Sequence, residues 1–212
     1  MRFTATALIL FATYLSLSPA EAGGPARGVV ELFTSQGCSD CPPADAALGS
    51  IIERGGMIAL AWHVDYWDHP WKDTFSTPAA TARQERYASH ISGGSYTPEF
   101  VVNGARGSSS SSIVSSSGLP VAVRVEGGQV KVASGSGSAN VILVSYSGSQ
   151  VVPIARGENA GRNVTYRHVV TGLRNLGSWN GSALNLKVGG GGNCAVILQR
   201  PGQGEIIGAA MC

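Results

Sequence analysis

The chain has 212 residues, of which 43% are hydrophobic and only 13% charged, with a formal net charge of +2. Lys and Arg form no cluster, which excludes the electrostatic footprint of a nucleic-acid binder. The length suits one large domain or two small ones.

The N-terminal segment is set apart first. Arg2, an apolar run from Ala5 to Leu17 and then Ala20-Glu21-Ala22 read as a secretory signal peptide over residues 1–22. The run is too short to span a bilayer, which argues against the alternative of a retained anchor, and no later run is long enough. The mature protein is therefore expected to be periplasmic or secreted, without a membrane segment. Four cysteines in an exported chain permit disulfides.

From residue 27 to 118, strand and helix patterns alternate. Residues 28–34 read as a strand, Pro42–Arg54 as a helix, Ile58–Val64 as a buried strand, Pro78–Ile91 as a helix and Pro98–Val102 as a short strand before the Asn103-Gly104 hairpin signal. That order predicts an α/β layer domain. Ser108–Ser117 has linker composition, with a weak final helix around Ile113-Val114 as the alternative. Residues 119–212 change character. Eight short strand candidates lie between Gly-rich turns, which predicts a β-rich sandwich- or barrel-like domain. Leu173–Leu176 reads as a helical turn.

The chemistry concentrates at Cys38-Ser39-Asp40-Cys41, between the first strand and the first helix. Two thiols three residues apart at a helix start can close on each other reversibly, and the helix N-terminus favours a thiolate. Pro42 is expected to delay the helix until it or later, and Asp40 adds a negative charge; both oppose a thiolate at Cys38. His63 and Asp65 stand two apart at the end of the second strand, so His63 could tune a cysteine with Asp65 orienting it, or the two could simply hold a loop. Trp67 and Trp71 fit a substrate platform or the core. A cis Thr97–Pro98 bond would turn the Thr97 backbone towards an extended peptide. Arg156, Glu158, Asn159, Arg162, Tyr166 and His168 form the polar cluster of the β-rich part. It reads as a hydrogen-bonded loop, as a surface docked on the first domain or as a contributor to a site. Cys194 and Cys212 are expected to staple neighbouring strands.

A strand, C-x-x-C at a helix start, a second buried strand and Thr-Pro before a hairpin resemble the thioredoxin layout. More closely, Val29 to Asp45 (VVELFTSQGCSDCPPAD), His63-Val64-Asp65-Tyr66-Trp67, Thr81-Ala82-Arg83-Gln84, Tyr96-Thr97-Pro98 and Arg156 to Arg162 are similar to a family of exported bacterial proteins catalogued as a domain of unknown function. The resemblance implies a thioredoxin-like fold. With the cysteine pair it suggests thiol–disulfide exchange through Cys38 and Cys41 on protein or peptide thiols, without a cofactor. Two further readings stand beside it. One is a copper or zinc module built on Cys38, Cys41, His63 and His69. The other is a non-catalytic interaction protein in which Cys38–Cys41 is a permanent staple.

Overall fold

The computed structural model describes residues 24–111, 118–189 and 192–212. The expected signal peptide and most of the serine-rich linker, including Ile113-Val114, lie outside the described residues. β1 (Val29–Thr34) and β2 (Ile58–His63) run parallel, joined by the crossover helix α1 (Cys41–Arg54). α2 (Pro78–Tyr87) follows, its N-terminus capped by the Thr77 side chain, and a π-helical turn (Ala88–Ser92) extends it. β3 (Glu99–Val102) and β4 (Arg106–Ser108) pair antiparallel through the Asn103-Gly104 turn and complete a sheet of order β2-β1-β3-β4.

The remaining strands form three sheets. β7 (Ala139–Tyr146), β10 (Val170–Trp179), β12 (Cys194–Gln199) and β13 (Ile206–Met211) make a second sheet of order β10-β7-β12-β13. β5 (Val123–Glu126), β6 (Gln129–Val132) and β11 (Leu184–Lys187) make a third, and β8 (Gln150–Pro153) pairs with β9 (Asn163–Tyr166). The helical turn expected at Leu173–Leu176 is instead mid-strand in β10. There a long antiparallel register with β7 outweighs a four-residue local preference.

The α/β thioredoxin-like domain followed by a β-rich domain is therefore corrected: the fold as a whole is β-rich, with thirteen strands against two α-helices among the described residues. The physical reason lies in what covers the first sheet. An α/β layer fold closes both faces with helices. Here each face is shared between one helix and strands from the far half of the chain. Val29, Phe33, Leu60 and Trp62 pack with Tyr87 of α2, but also with Val144, Ile197 and Ala209. On the other face Val30, Leu32 and Ala61 pack with Leu48 of α1 and with Val164, Tyr166 and Val169. Polar groups cross the same boundary. Arg83 on α2 donates to Glu31 on β1 (2.5 Å) and to Gln199 on β12 (3.1 Å), all buried.

Candidate functional site

β1 ends at Thr34, and residues 35–40 form the turn into α1. Pro42 and Pro43 suit the first helical turn, where a missing N–H costs nothing and φ is already set. The helix starts at Cys41, one residue ahead of Pro42. Asp40 sits at the cap position, exposed and without a side-chain capping bond, and Pro42 and Pro43 leave few N–H groups in the first turn to cap. The Cys41 amide donates to the Cys38 carbonyl (3.3 Å). The two sulfurs are joined in a disulfide with Cα atoms 5.4 Å apart. Both cysteines are buried, Cys38 at 2% and Cys41 at 0% exposure, although Ser39 and Asp40 between them are exposed.

Behind the bridge lies a polar cluster that the sequence shows only in part. Asp45 is four residues after Cys41 and hence on the same helix face, its side chain leaning back towards the first turn. Thr34 Oγ1 donates to Asp45 Oδ2 (3.2 Å), while the buried Oδ1 has no hydrogen-bond partner among the described residues. Burial pushes the Asp45 carboxyl up to about 7, partly offset by His63 and the Thr34 bond. His63 is buried with Nδ1 2.7 Å from Asp73 Oδ2, and its ring stands edge-on to Phe75 and Tyr166. Burial raises the Asp73 carboxyl, but its hydrogen bond and charge interaction with His63 and the amides of Gln36 and Phe75 more than offset this and hold it below its ordinary value. Because Asp73 also accepts the Gln36 N–H (2.8 Å), it ties His63 to the turn that carries Cys38. Tyr166 is buried with its hydroxyl unpartnered among the described residues, and desolvation lifts the phenol far above its usual range.

The other residues singled out in the sequence fall in different places. His63 finds Asp73, not Asp65. Asp65 accepts from Thr81 Oγ1 (2.5 Å) and so binds α2. His69 lies in an exposed loop, and no group of three or more His, Cys, Asp or Glu among the described residues could hold a metal ion. The Thr97–Pro98 bond is cis, and Thr97 Oγ1 accepts from Trp67 Nε1 (2.8 Å). Trp67, Tyr66 and Tyr96 are exposed, and Trp67 Cβ would lie 3.2 Å from a side chain placed on Gly37. Trp71 packs at the edge of the core beside α1. Cys194 and Cys212 form a disulfide between β12 and the end of β13, their Cα atoms 5.2 Å apart.

Two features come from the second half of the chain. The loop of residues 154–162 lies over the Cys38 turn. Asn159 Nδ2 donates to the carbonyls of Gln36 (3.0 Å) and Cys38 (2.7 Å), and Glu158 Oε2 accepts the Ser39 N–H (3.3 Å). A groove of about 540 Å³ runs beside α1, lined by Pro42, Asp45 and Glu53 on one side and Arg162, Thr165 and Arg167 on the other. Asp45 was detectable in the sequence from its i+4 spacing to Cys41. Asp73 and Asn159 carried no periodic or spacing signal, since loops bring both in.

A solved structure from Agrobacterium tumefaciens is similar at 30% identity, covering 91% of this chain and 95% of its own, with a TM-score of 0.73. HBP35 of Porphyromonas gingivalis shares the fold at 13% identity over 91% of this chain and 76% of its own, with a TM-score of 0.52. No curated protein matches. The family model described as Protein of unknown function (DUF1223) matches residues 29–195, the span that contains the disulfide turn, its buried acids and the loop over it, and the chain belongs to that family.

Proposed function

We propose that this chain is a thiol–disulfide oxidoreductase acting through Cys38 and Cys41. The carrying observation is where the bridge sits: it closes onto the first residue of α1, with the buried Asp45 carboxyl one turn further along the same face. In the exchange, a thiolate of a partner dithiol attacks the Cys38 sulfur. A partner–Cys38 bond forms, the Cys38–Cys41 bond breaks, and Cys41 leaves with the electron pair. The positive end of the α1 dipole favours that thiolate, and protonated Asp45 supplies its proton, with the adjoining groove as the route from solvent. The partner's second thiolate then attacks its own sulfur in the mixed disulfide, releasing Cys38, which takes up a proton. The partner is oxidised and the pair reduced; the reverse sequence introduces disulfides. Cys38 takes the attacked role because Cys41 is enclosed by the helix.

The substrates proposed are protein or peptide thiols and disulfides. The exposed aromatics Tyr66, Trp67 and Tyr96 beside the turn offer them an apolar seat. A periplasmic or secreted setting fits the Cys194–Cys212 bridge, because such bonds persist where the surroundings are oxidising. Equilibration in glutathione buffers, followed by alkylation and peptide mapping, tests the reading. Cys38–Cys41 is expected to pass from oxidised to reduced across the buffer range while Cys194–Cys212 stays oxidised. The second reading, a permanent staple, is favoured by the burial of both cysteines. It prevails if Cys38–Cys41 stays oxidised throughout, as structural bridges below about −300 mV do.

A further inference from the structure

We infer that residues 154–162 are a latch that holds the Cys38–Cys41 disulfide closed, so that exchange requires the latch to lift; this rests on the redox reading above. The bridge is buried although the turn around it reaches solvent, and a segment about 120 residues away in sequence is hydrogen-bonded onto that turn. The contacts made by the latch are specific to the reacting turn. Asn159 donates to the Cys38 carbonyl and Glu158 accepts from the Ser39 amide. These are the neighbouring backbone acceptor and donor that an extended polypeptide would use to align beside the disulfide. The latch thus engages the groups a polypeptide substrate needs, and the two compete.

The segment is built to move as a unit. Its ends are closed on each other by Ile154 N–H to Arg162 O (2.9 Å) and Gly161 N–H to Ile154 O (2.8 Å), and its tip by Ala160 N–H to Gly157 O (3.1 Å). Between Ala155 and Arg162 every residue is exposed except Asn159, which is fully buried. One side chain is therefore the anchor, oriented by Arg162 Nη1 donating to its Oδ1 (3.0 Å). Gly157 adds a second restraint. At φ +78° it passes under Trp71, where an added Cβ would come within 2.4 Å of the indole. Ile154 is buried in the core and fixes the base of the loop; beyond it, a tip with one buried anchor and few apolar contacts belongs to the low-stability end of a structure, where local opening is frequent.

The test is the rate at which dithiothreitol reduces Cys38–Cys41 in the full chain, read by quenched alkylation and mapping, with Cys194–Cys212 as internal control. Asn159→Ala removes the two donated hydrogen bonds and is expected to raise the rate about tenfold. Gly157→Ala, which Trp71 cannot accommodate without shifting, is expected to raise it in the same direction. Should Asn159→Ala fail to fold, shown by Cys194–Cys212 becoming equally reducible, Glu158→Gln decides. That residue is exposed and makes a single bond to the turn, and a rise of about two- to threefold is expected. Rates within error of the wild type in the folded variants, or slower, overturn the latch. The glutathione equilibrium of the wild type is read separately, so a pair that never equilibrates sinks the redox reading, whereas an unaltered reduction rate sinks only the latch.

Discussion

The two disulfides of this protein invert a common expectation. Cys194–Cys212 is the accessible one: Cys212 is exposed, Cys194 half-buried, and the bond lies between two paired strands. Cys38–Cys41 is the buried one, yet it has a helix N-terminus, an acid of raised pKa and a His–Asp pair about it. Loop length separates them further. A bond that closes 18 residues removes more freedom from the unfolded chain than one that closes 3. In the chain-entropy model the stabilisation is about 3 against about 2 kcal/mol. On the proposed reading one bridge holds and the other reacts, and exposure alone would have reversed that assignment.

The sharpest way to break this contrast is to remove each bridge in turn. Cys38→Ser or Cys41→Ser is expected to reduce exchange with a peptide disulfide to the uncatalysed background, while the Cys194→Ser/Cys212→Ser double variant keeps it. Comparable activity loss from both pairs would erase the division of labour. The stability readout should run the other way. The double variant is expected to lose on the order of 3 kcal/mol, lowering the melting temperature by about 6–12 °C; an unchanged melting curve would show that the outer bridge holds nothing.

A subtler probe asks whether Asp45 is coupled to its surroundings as described. Its folded pKa of about 7 lies above its ordinary 3.8, so between these values the folded state binds more protons than the unfolded one. Stability should therefore fall as pH rises from about 4 to 7 and level off beyond. Asp45→Asn should flatten that slope and be the more stable form at pH 8, by on the order of 2 kcal/mol. Asp73, held below its ordinary value, acts in the opposite sense only in stronger acid, where its stabilisation is lost as it protonates. Urea titrations at several pH values decide, and parallel curves for the two proteins would contradict the buried-acid assignment. The smallest effect is expected from Trp67→Ala. Losing one exposed ring should slow exchange with polypeptide disulfides a few-fold and leave small-reagent exchange unaltered, since stacking contacts of this kind are worth about 1 kcal/mol. Equal slowing of both would place Trp67 in the support of the turn instead.

Much of the first sheet is legible in the chain because its signals are local. Val29–Thr34 and Ile58–His63 are short apolar runs, and Pro42 and Thr77 mark helix starts within a residue or two. The closing layer was not legible, because the strands that finish each face lie a hundred or so residues further on and carry no mark of what they cover. The same holds at the site. C-x-x-C announces itself by spacing, and Asp45 follows from helical geometry. His63 meets Asp73 and not Asp65 because the chain between them folds back on itself, and Asn159 reaches Cys38 only through the tertiary fold. Sequence spacing reports neighbours along an element, and this site is assembled mostly between elements.

The bond from Asn159 to the Cys38 carbonyl also sets a sequence of events during synthesis. The chain is made from its N-terminus, so Cys38 and Cys41 are present long before residue 159 exists to cover them. Throughout that interval the thiols are open to any oxidant the nascent chain meets, whereas Cys194 waits for Cys212, 18 residues further on. The pair that ends up concealed is thus the one exposed earliest, and its chemical history begins before the molecule has its final shape.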